Sequence, residues 1–563
     1  MKRFFPLALF TLLVTAVLPV FGQVNNTELA DPNPGDQSCW LRLKSTKVGW
    51  GSTDVRYSRS QVADFAANPV LHGWRGERVF AQAVISTPKR LNRVTLKVSD
   101  LKSGSNTIPS SCIDKYFVCY VMGDKYNSKD SLLLPDRLDA AEAMSVEANT
   151  TRPLWFDIHI PESAKAGTYK GWVVVDFDGR QHKLPLRLEV VDRILPTPDQ
   201  WTFHLDLWQN PYAVARYFDV PLWSKEHFDR MRPLMTMLAQ AGGKVITASI
   251  IEHPWNSQTY DPFESMIGKM KQTDGTWKYD YTVFDTWISF AMECGITEQI
   301  DCYTLVPWGY KFEYYDCATN STRHVSCKPG EKEYEDLLLP FLKDFAAHLK
   351  AKGWFERTCI AMDERPMDQL RAAWDLVRRA DEGFRIEGAV NYSPEVVNMM
   401  YDISLGYRHA KLPQEVVVQR RADNLRTTFY TCCNPDRPNT FLSSPLAESA
   451  FLGWHALAKG YNGYLRWAYN SWPAQPCQDS RFGTWTGGDT FLVYPEGPSL
   501  RWERLTEGIQ QFEKMSILFP TLTSSKKDAM EALLKPMSNP HPDASVDFAD
   551  WVAAGKNFLR SVE

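Results

Sequence analysis

The stretch RTCIAMDERP, residues 357–366, runs four apolar residues into two adjacent carboxylates, Asp363 and Glu364. Two like charges this close push their pKa values apart, so one stays ionised while the other holds a proton. That is the acid-plus-anion combination that glycoside cleavage needs. Most glycosidases place their two carboxylates on different strands, roughly 5 Å or more apart. An adjacent Asp-Glu pair suits the substrate-assisted route instead. There the sugar's own 2-acetamido oxygen is the nucleophile, the Asp orients the acetamido N–H and balances the cationic intermediate, and the Glu is acid and then base. The competing structural role is capping of the helix that follows, to which an acidic side chain is suited. In a regular strand neighbouring side chains also point to opposite faces, so both carboxylates reach one site only if the backbone turns there.

The elements that position this pair read as two folds in series. From 38 to 196 short alternating runs are split by turn residues, the pattern of a β-sandwich. After 200 strand-like runs at 201–208, 244–251, 299–307, 357–364, 385–392, 401–406, 427–433 and 462–469 alternate with helical periodicity, which fits a (β/α)8 barrel spanning 197–520. A helical segment closes the chain at 521–563. No Gly-rich phosphate loop follows the first strand, which disfavours a doubly wound nucleotide-binding sheet.

Barrel active sites sit at the C-terminal ends of the strands. His204, Asp206 and Trp208 are assigned to the first strand end and Asn391 and Tyr392 to the fifth. Arg408 follows the sixth, Tyr430 lies on the seventh, and Trp467, Tyr469, Asn470 and Trp472 belong to the eighth, with Asp489 in the turn beyond. Glu252, His253 and Trp255 follow the second strand and Trp308 the third. Each aromatic has packing as its ordinary alternative; Trp467 and Trp472 are the expected sugar platforms, and Asp206, Arg408 and Asp489 the expected partners of O3 and O4.

Composition narrows the function classes. The 563 residues carry a net charge of −4, which gives no reason to expect a nucleic acid partner. The 20 Trp are compatible either with large cores or with stacking on sugar faces. Residues 1–22 read as a secretory leader, with Lys2 and Arg3 before an apolar core, and no later segment reads as a membrane span, so the expectation is an exported protein, periplasmic or secreted, not inserted in a membrane. Residues 23–37 read as a flexible lead-in. The 11 Cys permit disulfides, with Cys317/Cys327 and Cys112/Cys119 as loop staples, and Cys432-Cys433 is expected in a strand with side chains on opposite faces. Ligand-spaced Cys/His motifs are absent, so no metal and no cofactor is expected.

The strand-four MDE, the strand-eight GYLRWAYNSWP, the turn GGDTFLVYPEGP and the helix SLRWERLTEGIQQFE together resemble glycoside hydrolase family 123, the β-N-acetylgalactosaminidases, over most of the length after the leader. The resemblance implies a β-sandwich followed by a (β/α)8 barrel, no metal, and retaining, oxazoline-forming release of terminal β-linked N-acetylgalactosamine from a glycolipid or other glycoconjugate. It also implies Asp363 as the residue that orients the acetamido group and Glu364 as the acid/base. The family-20 hexosaminidases share the Asp-Glu logic, but their His-x-Gly-Gly-Asp-Glu motif is not present. Two alternatives stay open: a barrel glycosidase of another sugar pairing Glu364 with Asp206 or Asp489, and a non-catalytic glycan-binding surface protein.

Overall fold

The computed structural model describes residues 27–128, 130–409 and 411–563. The leader expected over 1–22 lies outside the described residues. An N-terminal sandwich stacks a five-stranded antiparallel sheet, in the order Lys47–Gly51, Arg78–Thr87, Thr150–His159, Ile113–Asp124 and Ser131–Asp139, on a seven-stranded sheet centred on Gly167–Phe177 and Arg180–Ile194. Alternation along the strands sends Trp50, Phe117, Leu154, Val173 and Leu188 into the shared core; the outer face of the seven-stranded sheet meets water, whereas Phe80, Val118 and Trp155 on the outer face of the five-stranded sheet pack on Leu446 and Leu500 of the barrel. Segment 27–37, read as a flexible lead-in, is pinned to this domain. Glu28 accepts from the Tyr120 backbone N–H at 2.9 Å and from Arg152 Nη2 at 2.9 Å, and Ser60 Oγ donates to Asp31 at 2.6 Å.

The barrel has eight parallel strands: His204–Leu207, Val245–Ser249, Gln299–Tyr303, Thr358–Met362, Arg385–Val390, Asp402–Gly406, Arg426–Tyr430 and Gly463–Arg466. The first and second strands close the ring where the Lys244 N–H donates to the Leu205 carbonyl at 3.0 Å. Most strands are fully buried, the state expected of a parallel sheet covered by helices. Helices fill each return, including Lys332–Lys352, Met367–Ala380, Leu446–Lys459 and Leu500–Leu518. The last two cross at Gly453 and Gly508; a Cβ on Gly453 would stand 2.2 Å from the Gly508 carbonyl oxygen, so only glycine permits that contact.

Helix Leu500–Leu518 also locks the sandwich to the barrel. Arg501 Nε reaches Asp136 Oδ2 at 3.0 Å, and Arg78 bridges Asp157 (2.9 Å from Nε) and Glu503 (2.7 Å from Nη2), all in buried surroundings. The tail helices Ser524–Met537 and Phe548–Val562 pack on Leu446–Lys459, and Glu563 accepts from Trp74 Nε1 at 2.7 Å. Among the described residues no helix is long and apolar enough to cross a membrane.

One excursion was not legible in the sequence. The loops after barrel strands two and three pair into a four-stranded sheet, Gly268–Lys271, Trp277–Asp280, Lys311–Asp316 and Ser321–Ser326. Cys317 and Cys327 flank its last strand but remain unpaired thiols, as do Cys112 and Cys119. Cys432 and Cys433 lie beyond their strand, which ends at Tyr430, and their sulfurs are 3.7 Å apart rather than on opposite faces.

Candidate active site

Barrel strand four ends at Met362, and the chain bends at Glu364 before the helix Met367–Ala380 begins. That bend places both carboxylates past the strand end. Neither caps the helix: its N-cap is Pro366, without a side-chain hydrogen bond. Asp363 Oδ1 instead accepts from the N–H of Glu364 at 2.8 Å, and Oδ2 accepts from Trp308 Nε1 at 2.7 Å. Trp308 is braced in turn by the Arg365 guanidinium, 4.6 Å above its ring. Burial, and secondarily the charge of Glu364, outweighs these donors and raises the Asp363 carboxyl to about 6. Glu364 Oε1 accepts a short hydrogen bond from the Tyr430 hydroxyl. Burial and the neighbouring Glu364 charge push the Tyr430 phenol above its ordinary range, so it remains a donor at neutral pH.

The floor of the mouth is aromatic. Trp208 and Trp255 stack with centroids 5.0 Å apart, and Tyr303 contacts them at 4.4 Å and 5.1 Å. The buried Trp255 indole N–H has no partner in the protein. Beside Trp208, at the end of the neighbouring strand eight, Trp467 packs on Trp485 at 5.3 Å and donates from Nε1 to Asp489 at 3.1 Å. Asp489 is fully buried and paired with Arg466 at 2.8 Å, so it orients Trp467 from behind rather than facing the mouth. Arg408, after strand six, is half-exposed and paired with Asp436 at 2.6 Å; Asn391 is exposed and Tyr392 half-buried after strand five.

Five expected contacts lie elsewhere. His204 is the first residue of its strand and therefore sits at the opposite end of the barrel, with Nε2 3.0 Å from Asp402 Oδ2. Asp206 lies one layer beneath Trp208, inside the barrel, where its oxygens come within 4.8 Å of those of Asp301 and Glu387. Burial first and mutual repulsion second raise all three carboxyls well above the carboxylate range. That spacing suits a cation, but the trio lies under the aromatic floor. Trp472 and Tyr469 are buried in the scaffold, donating to the carbonyls of Val493 at 2.8 Å and Leu234 at 2.9 Å. Asn470 pairs through both side-chain atoms with the Asn210 backbone at 2.8 and 2.9 Å. The residues that the sequence did not point to are Arg365, Tyr303 and Trp485. Trp255 and Trp308, placed after the second and third strand ends by the sequence, stand at the mouth, on Trp208 and on Asp363 respectively.

Comparison with known proteins accords with this geometry. The family model described as Glycoside hydrolase 123, catalytic domain matches residues 208–518, and the Glycoside hydrolase 123 N-terminal domain matches 50–177. A family 123 glycoside hydrolase from Clostridium perfringens, whose structure was analysed for the details of glycolipid glycan hydrolysis, superposes with a TM-score of 0.84 at 28% identity, covering 92% of this chain and 97% of that one. β-Glucuronidase 3 from Bacteroides uniformis gives a TM-score of 0.31 at 9% identity, covering 84% of this chain and 52% of that one. No curated protein matches. The barrel and its sandwich are thus those of a glycosidase: the chain belongs to glycoside hydrolase family 123.

Proposed function

We propose that this glycosidase is exported and releases terminal β-linked N-acetylgalactosamine from the non-reducing end of glycans by retaining, substrate-assisted hydrolysis. The observation that carries this reading is that Asp363 and Glu364, neighbours in sequence, are both turned away from helix capping and held by separate donors, Trp308 and Tyr430. The carboxylates that a two-residue mechanism would recruit are unsuited to it: Asp206 is under the floor and Asp489 is buried against Arg466.

In the first step the acetamido carbonyl oxygen attacks the anomeric carbon. The glycosidic bond breaks, and Glu364 gives its proton to the departing oxygen. Asp363, ionised above pH about 6, accepts from the acetamido N–H and balances the positive oxazolinium. Glu364, now an anion, then takes a proton from water as the water oxygen adds to the same face. The oxazoline reopens and the configuration is retained. The aromatic floor and Trp467 supply flat surfaces for the sugar's C–H patch and acetamido methyl, and the Trp255 N–H supplies an unused donor. A glycolipid is the favoured glycan carrier, because the similar Clostridium perfringens enzyme was analysed for glycolipid glycan hydrolysis.

The test compares turnover of aryl β-glycosides of N-acetylgalactosamine, N-acetylglucosamine and galactose, with a thiazoline analogue of N-acetylgalactosamine as inhibitor. Cleavage confined to the first, with thiazoline binding far tighter than the free sugar, is expected, since intermediate mimics gain about 10²–10⁸-fold over substrate. Efficient galactoside cleavage, or a fluorosugar adduct on a carboxylate together with no thiazoline inhibition, would replace it with the two-carboxylate mechanism.

A further inference from the structure

The outer face of the seven-stranded sandwich sheet carries a row of charges that folding does not call for. Lys170 lies directly opposite Arg187 on one neighbouring strand and Lys102 on the other. Directly opposed residues stand about 5 Å apart at Cβ, and like charges there repel. Three cations therefore span about 10 Å of sheet. Arg187 has one counter-charge, Glu189, which accepts from its Nη2 at 2.6 Å. Among the described residues neither lysine forms an ion pair.

Beside this row stands an exposed aromatic ring. Trp172 is two residues beyond Lys170, so it shares the same face, opposite Pro185, and it is 47% exposed. Its strand position is rigid: the Trp172 N–H donates to Ser99 Oγ at 3.0 Å, and its carbonyl accepts from the Ser99 N–H at 2.9 Å. Trp50 and Trp74, also in the sandwich, are by contrast core residues. Trp172, Pro185 and the three cations line one groove of 790 Å³, which also admits Asp100, whose Oδ1 already accepts from the Ser110 N–H at 2.9 Å.

We propose that this groove is a second, non-catalytic glycan site that binds a sulfated oligosaccharide. A pyranose ring stacks on Trp172 against Pro185, and sulfate oxygens take hydrogen bonds from Lys102, Lys170 and Arg187. Sulfate suits the row better than a carboxylate does, because its three terminal oxygens accept donors arriving from three strands and it stays ionised at every working pH. A concave groove also suits a chain better than a bilayer, which needs a protruding apolar surface.

The experiment is calorimetric titration of the whole protein with a chondroitin sulfate oligosaccharide, its desulfated counterpart, and phosphatidylcholine vesicles containing phosphatidylserine. Wild type should bind the sulfated oligosaccharide, more weakly as salt rises. Trp172→Ala, Lys170→Glu and desulfation should each weaken binding about tenfold or more, the cost of one charge-assisted contact. Aryl β-N-acetylgalactosaminide turnover should be unchanged in both variants, and Lys170→Glu, which relieves the repulsion, should not lower Tm. The proposal fails if wild type does not bind, if the desulfated chain binds equally, if either variant binds as wild type does, or if the vesicles are preferred.

Discussion

Replacing Trp308 with Phe isolates what one hydrogen bond does to the chemistry. The indole N–H donates to Asp363 Oδ2 at 2.7 Å and favours the ionised carboxylate. The other groups facing Asp363 are the Glu364 backbone N–H and the Arg365 guanidinium, which also favour ionisation, and the Glu364 carboxylate, which opposes it. Their sum against burial leaves the carboxyl at about 6. A hydrogen bond to a charged group is worth about 1.5–3 kcal/mol, and about 1.4 kcal/mol moves a pKa by one pH unit. Trp308 is 36% exposed, so the lower end applies and the carboxyl should move up by about one pH unit. Phe keeps a ring beneath Arg365. In the proposed mechanism Asp363 must be anionic to balance the oxazolinium, so activity is expected to fall as pH drops through its pKa. The assay is kcat/KM against pH on an aryl β-N-acetylgalactosaminide with a good leaving group, which reports the free enzyme. The acidic limb should stand near pH 6 in the wild type and about one unit higher in the variant. An unmoved limb, or one displaced to lower pH, would show that Asp363 does not control it.

Three further substitutions follow from the same contacts. Asp363→Asn should lower kcat by the equivalent of about 2.7–4 kcal/mol, the loss of a transition-state electrostatic partner. Because the folded-state pKa of Asp363 is raised, its favourable contribution is complete below the unfolded value and lost as pH rises through 6; the Asn variant should therefore gain Tm relative to wild type at pH 8 and not at pH 4. Glu364→Gln should slow a natural glycan by about 10²–10⁴-fold but an activated aryl substrate much less, since a stable leaving anion needs no proton, and equal losses would remove Glu364 from the acid role. Arg466→Met leaves the buried Asp489 without its cation and should cost about 3–5 kcal/mol in denaturant unfolding, whereas a change under 1 kcal/mol would mean that Asp489 is protonated in the fold.

The barrel was legible because parallel strands covered by helices read as apolar runs between amphipathic ones, and seven strand runs lie within a few residues of those drawn from sequence. Depth within a strand was not legible. The first strand was read as 201–208 and is His204–Leu207, so His204, expected at the rim, enters at the floor of the barrel. At about 3.3 Å per residue, the four residues from His204 to Trp208 separate the two ends by roughly 13 Å. Strand eight shows the converse. It stops at Arg466, the chain leaves the barrel after Trp467, and Tyr469, Asn470 and Trp472 turn back into the scaffold. The contact of Trp308 was not legible for a third reason, since its partner Asp363 lies 55 residues further on and only the closed barrel brings them together. The same distinction divides the motifs behind the family resemblance. MDE carries the two carboxylates, whereas the strand-eight and following motifs supply Arg466, Asp489 and Arg501, a buried charge lattice within the scaffold. Trp467 hangs from that lattice through Asp489. The expected sugar platform is therefore held by an ion pair behind it, which is why polar residues of these motifs, expected at the rim, face the scaffold at several positions.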